Sequence, residues 1–115
     1  MADSTAAGLQ PVVRTIGQRD IVFDNEGFFN DFSDWSEEVC LLLAAEGGLA
    51  GFSEQQWLII RFLRQFYAEQ GRAPLNSQLR KGTGIALLEL EKVFPGGIKN
   101  GARRLAGLPN PKTCS

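Results

Sequence analysis

Between Ser53 and Gly71 the chain carries one long apolar stripe, and that stripe limits the fold more than any other feature. Ser53-Glu54-Gln55-Gln56 places a serine three residues before a glutamine, the capping-box pattern in which each side chain accepts from the other residue's backbone N–H. Trp57, Ile60, Leu63 and Tyr67 then recur on one helical face, with Ile59, Phe62 and Phe66 beside them. A stripe this wide needs cover on several sides, so it predicts a central, buried helix. Gly71 ends the helix as a left-handed cap, and Pro74 blocks its extension.

The flanking segments supply the cover. Val12–Ile16 and Asp20–Phe23 read as two short strands around a Gly17-Gln18 turn. Asp24-Asn25-Glu26-Gly27 is a second turn, followed by Phe28-Phe29. Ser33 or Asp34 is expected to cap a helix through Trp35, Val39, Leu42 and Leu43, with Glu37 and Glu38 at its positive end, stopping at Gly47-Gly48. Asn76 or Ser77 is expected to cap a short helix through Leu79 and Lys81, interrupted at Gly82-Thr83-Gly84. Ile85–Phe94 then makes about three turns. Pro95-Gly96-Gly97 breaks the chain before a last helix, roughly 98–106, closed by Gly107. The fold class is mainly α: a small bundle of four to five helices with an N-terminal β-hairpin. An isolated hairpin is marginal, so it must pack on the helices. Residues 1–10, small and polar, are expected to be disordered, residues 11–107 to form one domain, and residues 108–115 a flexible C-terminal arm.

The chain has 115 residues and no histidine. Without histidine there is no Ser-His or Cys-His nucleophile pair, no His-based acid–base chemistry and little prospect of a zinc site. Two cysteines, Cys40 and Cys114, cannot make a Cys-only metal site or a disulfide scaffold. No metal or cofactor is expected. The N-terminal residues lack the basic and apolar regions of a signal peptide, and no apolar run approaches a membrane span, so a cytoplasmic protein with no membrane partner is the expectation.

Chemistry must then run through a thiol, carboxylates or a partner's groups. Cys40 lies in Val39-Cys40-Leu41-Leu42-Leu43 and reads as a small buried hydrophobe. Cys114 is different. It follows Leu108-Pro109-Asn110-Pro111-Lys112-Thr113, where two prolines bar a helix and favour extended chain. At about 3.1–3.5 Å per residue, this segment carries the thiol roughly 20–25 Å from the last helix. Such reach suits a thiol that enters another protein's active site; the bland alternative is an accidental cysteine on a frayed tail.

Charge is unevenly spread. Nine acidic residues and no Lys or Arg lie between Asp20 and Glu54, whereas eight basic residues face only Glu89 and Glu91 between Arg72 and Lys112. One acidic and one basic surface would orient a partner. Lys81, Lys99, Arg103, Arg104 and Lys112 are the candidate docking residues, for an acidic partner or, indirectly, tRNA phosphates. Gly96-Gly97 and Gly82-Thr83-Gly84 lack the pattern of a phosphate loop and read as turns.

Taken in order, Phe23-Asp24-Asn25-Glu26-Gly27-Phe28, Asp34-Trp35-Ser36-Glu37-Glu38-Val39, Trp57–Arg64, Phe94-Pro95-Gly96-Gly97 and Ala106-Gly107-Leu108-Pro109-Asn110-Pro111 resemble the DsrC/TusE family of sulfur carriers, from about residue 21 to 115. The resemblance implies a helical bundle with an N-terminal hairpin and a mobile arm. It also implies that the penultimate cysteine, Cys114 here, carries sulfur as a persulfide or trisulfide. Partners would be sulfur-donor and sulfur-acceptor proteins, with the relay ending in tRNA wobble-uridine thiolation or in sulfur metabolism. In two-cysteine members a second cysteine stands where this chain has Arg103, so no intramolecular disulfide can close there. Arg103 is expected to bias where the arm rests. Ser77 replaces a usual arginine while Lys81 is retained; Leu88, Leu90 and Ile98-Lys99-Asn100 also depart from the family pattern. Two other functions compete: a regulator binding DNA through a helix-turn-helix-like unit after Ser53, and an adaptor that binds a sulfur enzyme without carrying sulfur. A monomer is favoured.

Overall fold

The computed structural model describes residues 11–110. Strands β1 (Val12–Ile16) and β2 (Arg19–Phe23) pair antiparallel in the expected hairpin, Val12 opposite Phe23 and Ile16 opposite Arg19. Gly17 takes φ +66° in the turn, a left-handed conformation that glycine adopts without steric cost. Asp24 then shapes the next turn: its Oδ1 accepts from the backbone N–H groups of Glu26 and Phe28, both at 2.9 Å. The chain folds back so that Phe29 bridges to Phe23, their rings edge-on at 5.0 Å.

Four α-helices follow: α1 (Glu37–Glu46), α2 (Glu54–Gln70), α3 (Asn76–Thr83) and α4 (Leu87–Val93). A π-helical segment, Gly97–Arg103, completes the bundle. Helix α2 is the centre, as its stripe predicts. Ile59, Ile60 and Leu63 are fully buried, and the core around them draws on Ile21, Phe23 and Phe29 of the hairpin region, Val39 and Leu43 of α1, and Leu79, Leu90 and Phe94 beyond it. Each such side chain contributes about 1.5–3 kcal/mol on leaving water. The capping box at Ser53 forms in full. Gln56 does a second job: its Nε2 donates to the carbonyl of Val93 at 2.9 Å and so closes the end of α4.

Five local expectations are corrected. The N-cap of α1 is Ser36, whose hydroxyl accepts from Val39 N at 3.1 Å, not Ser33 or Asp34. Asp31 captures Ser33 instead, accepting from both its N–H and its hydroxyl, and holds Phe32–Asp34 in a 3-10 turn; those two bonds lower the Asp31 pKa. The N-cap of α3 is Leu75, not Asn76 or Ser77, because the Gln78 side chain accepts from Leu75 N at 2.8 Å.

Gly82 does not interrupt α3. It lies inside the helix, where a Cβ would sit 2.2–2.3 Å from the Phe62 ring, so its absent side chain serves close packing; Gly84, at φ +75°, ends the helix. Lastly, Ala86 precedes α4 in an extended conformation, which shortens that helix to Leu87–Val93.

The last helix is π over Gly97–Arg103, where an α-helix was expected. At Gly101 a Cβ would lie 2.5 Å from the Pro95 carbonyl oxygen and 2.8 Å from Phe94 Cβ, so the backbone passes closer to the preceding turn than any other residue allows. The Glu91 carboxylate caps this segment, accepting from Ile98 N at 3.1 Å.

Candidate functional site

The site is built where the last helix ends and the arm begins. Helical backbone continues from the π segment through Arg104 and Leu105, and Gly107 turns left-handed at φ +79°. Leu108 N donates to the Arg103 carbonyl at 3.2 Å, and Gly107 N donates to the Arg104 carbonyl at 3.1 Å. This is the Schellman pattern, completed by the apolar residue after the glycine, Leu108, which is fully buried.

A helix end leaves four carbonyls without intrahelical partners. The Schellman turn satisfies two of them. The other two are capped from elsewhere in the fold: Trp35 Nε1 donates to the Leu105 carbonyl at 2.7 Å, and Arg64 Nη1 donates to the Ala106 carbonyl at 2.9 Å. Trp35 also covers Gly107, where a Cβ would meet its Cδ1, Cβ and Cγ at 2.6–2.9 Å. The Arg64 guanidinium lies 3.9 Å from the Phe32 ring centre and 4.3 Å from that of Trp35, and Nη2 donates to the Phe32 carbonyl at 3.4 Å. Burial draws its pKa down to about 10, which leaves it charged at neutral pH. A cation at a helix C-terminus also meets the negative end of the helix dipole.

One further contact fixes the chain past the helix. Asn110 Nδ2 donates to Asp24 Oδ2 at 3.0 Å, so the carboxylate that shapes the turn after β2 also holds the start of the arm. With Leu108 buried and Asn110 bound, the first three residues of the expected arm lie against the fold.

The predicted residues are not gathered in one place. Cys114 and Lys112 lie outside the described residues. Lys81 and Lys99 are exposed, on α3 and the π segment. Arg103 and Arg104 are half-buried, and both bond backbone carbonyls of this chain. Arg103 Nη2 donates to the Pro74 carbonyl at 2.7 Å and to Asn76 Oδ1 at 3.4 Å, tying the last helix to the α2–α3 connection. Arg104 Nε donates to the Asn100 carbonyl at 2.8 Å. Burial lowers the pKa of both. The acidic stretch is partly paired across the hairpin, through Arg14 with Glu46 at 2.5 Å and Arg19 with Asp34 at 3.8 Å.

Cys40 is fully buried in α1. Burial pushes its thiol up to about 12; nearby Glu37 adds to the rise, while a hydrogen bond with Trp35 and the charge of Arg64 oppose it. A thiol so placed has almost no thiolate at neutral pH.

Sequence reasoning did not single out Arg64 or Trp35. The signal was present in the periodicity: Arg64 falls four residues after Ile60 and three before Tyr67, on the buried face of α2. An arginine there must find acceptors inside the fold.

Residues 15–115 match the profile of the family described as DsrC like protein, and the chain belongs to that family. It is 37% identical over 91 residues to the gamma subunit of dissimilatory-type sulfite reductase of Nitratidesulfovibrio vulgaris, spanning 79% of this chain and 87% of that one. It is 34% identical over 103 residues to the sulfurtransferase TusE of Photorhabdus laumondii, spanning 84% and 92%. Among solved structures, the oxidized gamma subunit (DsrC) of the dissimilatory sulfite reductase from Archaeoglobus fulgidus superimposes with a TM-score of 0.77 at 31% identity, covering 90% of this chain and all of that one. A chain in the crystal structure of dissimilatory sulfite reductase I reaches 0.82 at 36% identity, with the same coverage. Among the described residues no helix is long and apolar enough to cross a membrane.

Proposed function

We propose that this protein is a sulfur carrier that accepts sulfane sulfur on Cys114 and passes it to a partner protein. The observation that carries the proposal is the sealing of Cys40. Of two cysteines, one is fully buried with its pKa raised to about 12, so thiol chemistry falls to Cys114. Membership of a family whose relatives are named sulfurtransferase and sulfite reductase gamma subunit supports the same reading.

The chemistry needs no histidine in this chain. The Cys114 thiolate attacks the terminal sulfur of a donor persulfide. A new S–S bond forms at Cys114, the donor's S–S bond breaks, and the electron pair leaves on the donor's thiolate. An acceptor thiolate then attacks the terminal sulfur of the Cys114 persulfide in the same way and releases the Cys114 thiolate. Sulfane sulfur moves without net oxidation or reduction, and no cofactor takes part. The partner supplies whatever base or positive charge activates the thiol, since the thiolate is the attacking species.

By the family resemblance, Arg103 stands where two-cysteine members carry their second thiol. That supports cycling through persulfide exchange, as in a TusE-type relay, over a two-thiol redox cycle. The partners are a sulfur donor and a sulfur acceptor in the cytoplasm, docked in part through exposed Lys81 and Lys99, with tRNA reached only through the acceptor. The test is transfer itself. Protein loaded with polysulfide, freed of excess and treated with cyanide should release thiocyanate in proportion to Cys114. The Cys114→Ser protein should release none, and equal release from the variant would refute the carrier.

A further inference from the structure

We propose that Arg64 is a positioning residue for Cys114: with Trp35 it caps the last helix from outside and so sets the direction in which the C-terminal segment leaves the fold. The inference rests on the reading of Cys114 as the sulfur-carrying group.

The argument is an accounting of carbonyls. The end of the last helix presents four, at Arg103, Arg104, Leu105 and Ala106. The first two are closed by the turn's own N–H groups. A Schellman turn is a local device and would form on any helix ending in Ala-Gly-Leu; it does not dock that end onto the rest of the protein. The last two carbonyls do the docking, and both bonds come from residues far away in sequence. Trp35, between the 3-10 turn and α1, holds Leu105; Arg64, on α2, holds Ala106. Arg64 also ties in Phe32 through its carbonyl and its ring. One guanidinium therefore joins the central helix, the turn before α1 and the last of the helix's four open carbonyls.

The geometry is selective for arginine. Two donors on one rigid plane reach two carbonyls on different segments while the flat face lies against two aromatic rings. A lysine ammonium at the same place can hold one carbonyl but cannot offer the flat face. The Asp24–Asn110 bond then continues the path set at Ala106. Cys114 follows Asn110 by four residues in the sequence. With so few residues between them, the direction set at 106–110 bears on which partner sites the thiol enters.

The test uses the full chain labelled with nitrogen-15, in wild type, Arg64→Met and Arg64→Lys. Backbone order parameters are measured at Gly107, Leu108 and Asn110 and along α2. Polysulfide loading of Cys114 is followed in parallel. The wild type should show rigid values of about 0.85 at these three residues, and Arg64→Met should fall below about 0.6 there alone, with the order parameters along α2 unchanged. Arg64→Lys should recover part of the loss. Unchanged order at 107–110 in either folded variant overturns the proposal, as does loosening spread over the whole fold, which marks a merely structural role. If Arg64→Met does not fold, Arg64→Lys decides. Failure of the wild type to take up sulfur would instead refute the carrier reading, and the order parameters would still report on the clamp.

Discussion

Trp35 and Gly107 touch across the root of the C-terminal arm. Atoms of the indole side chain occupy the space where any side chain at 107 would begin, while the indole N–H holds the carbonyl two residues earlier. The glycine is thus fixed twice, by its left-handed φ of +79° and by the ring lying on it.

The two effects separate experimentally. Gly107→Ala should destabilise the protein by about 2–4 kcal/mol, the sum of left-handed backbone strain and overlap with the indole. Gly48→Ala is the control: φ is +96° there but nothing lies within 4 Å of its Cβ position, so only the backbone cost of about 1–2 kcal/mol applies. Urea denaturation of both variants measures the difference, and equal losses would contradict the contact.

Gly82→Ala should cost more than helix propensity allows. Inside an exposed helix, alanine in place of glycine adds about 0.5–1 kcal/mol of stability. Here the added methyl overlaps the Phe62 ring, so a net loss of about 1–3 kcal/mol is expected. The double variant Gly82→Ala, Phe62→Leu should recover part of it, as a double-mutant cycle would show.

Cys40 makes stability fall with rising alkaline pH. Its folded-state pKa is raised, so above about pH 9 the unfolded chain loses this proton and the folded chain keeps it. The unfolded state then binds fewer protons and gains relative stability, by about 1 kcal/mol between pH 9 and 10 and at most about 1.4 kcal/mol per unit beyond. Below pH 9 the effect vanishes. Cys40→Ala should remove this slope, which is read from the difference between the two proteins' stability curves. In native protein at pH 8, iodoacetamide should modify Cys114 and spare Cys40.

Arg103→Glu should do two things. It removes the bond to the Pro74 carbonyl and sets a carboxylate against that oxygen, costing about 2 kcal/mol or more in thermal or urea unfolding. It should also change the rate of sulfur transfer from a protein donor, since position 103 lies four residues before the turn at Gly107. An unchanged rate would sink any role for Arg103 in setting the arm.

Much of the fold was legible because α2 advertised it. A complete capping box, a wide stripe and a left-handed glycine stop agree with one another, and agreement between local signals is what specifies a structure. The hairpin was legible for the same reason, from Gly17-Gln18 between two β-branched runs. The misread positions share another cause. Gly82 looks like a break in sequence and Gly101 like an ordinary helix position, yet each is a glycine because another group comes close, the Phe62 ring at 82 and the Phe94-Pro95 turn at 101. The shift of the α1 cap to Ser36 reflects competition, with Asp31 taking the earlier serine first. Of the proposed site, the prolines before Cys114 raise that thiol as a candidate, and it lies outside the described residues. The clamp formed by Trp35 and Arg64 could not, since its acceptors at Leu105 and Ala106 lie 70 and 42 residues away in sequence.

The most direct test of the carrier is the intact mass of the protein after incubation with a sulfane-sulfur donor and removal of excess, for wild type and Cys114→Ser. The account predicts a gain of one or more sulfur atoms in the wild type, reversed by reductant and absent from the variant. No gain under conditions that load other protein thiols, or an equal gain on the variant, would contradict it.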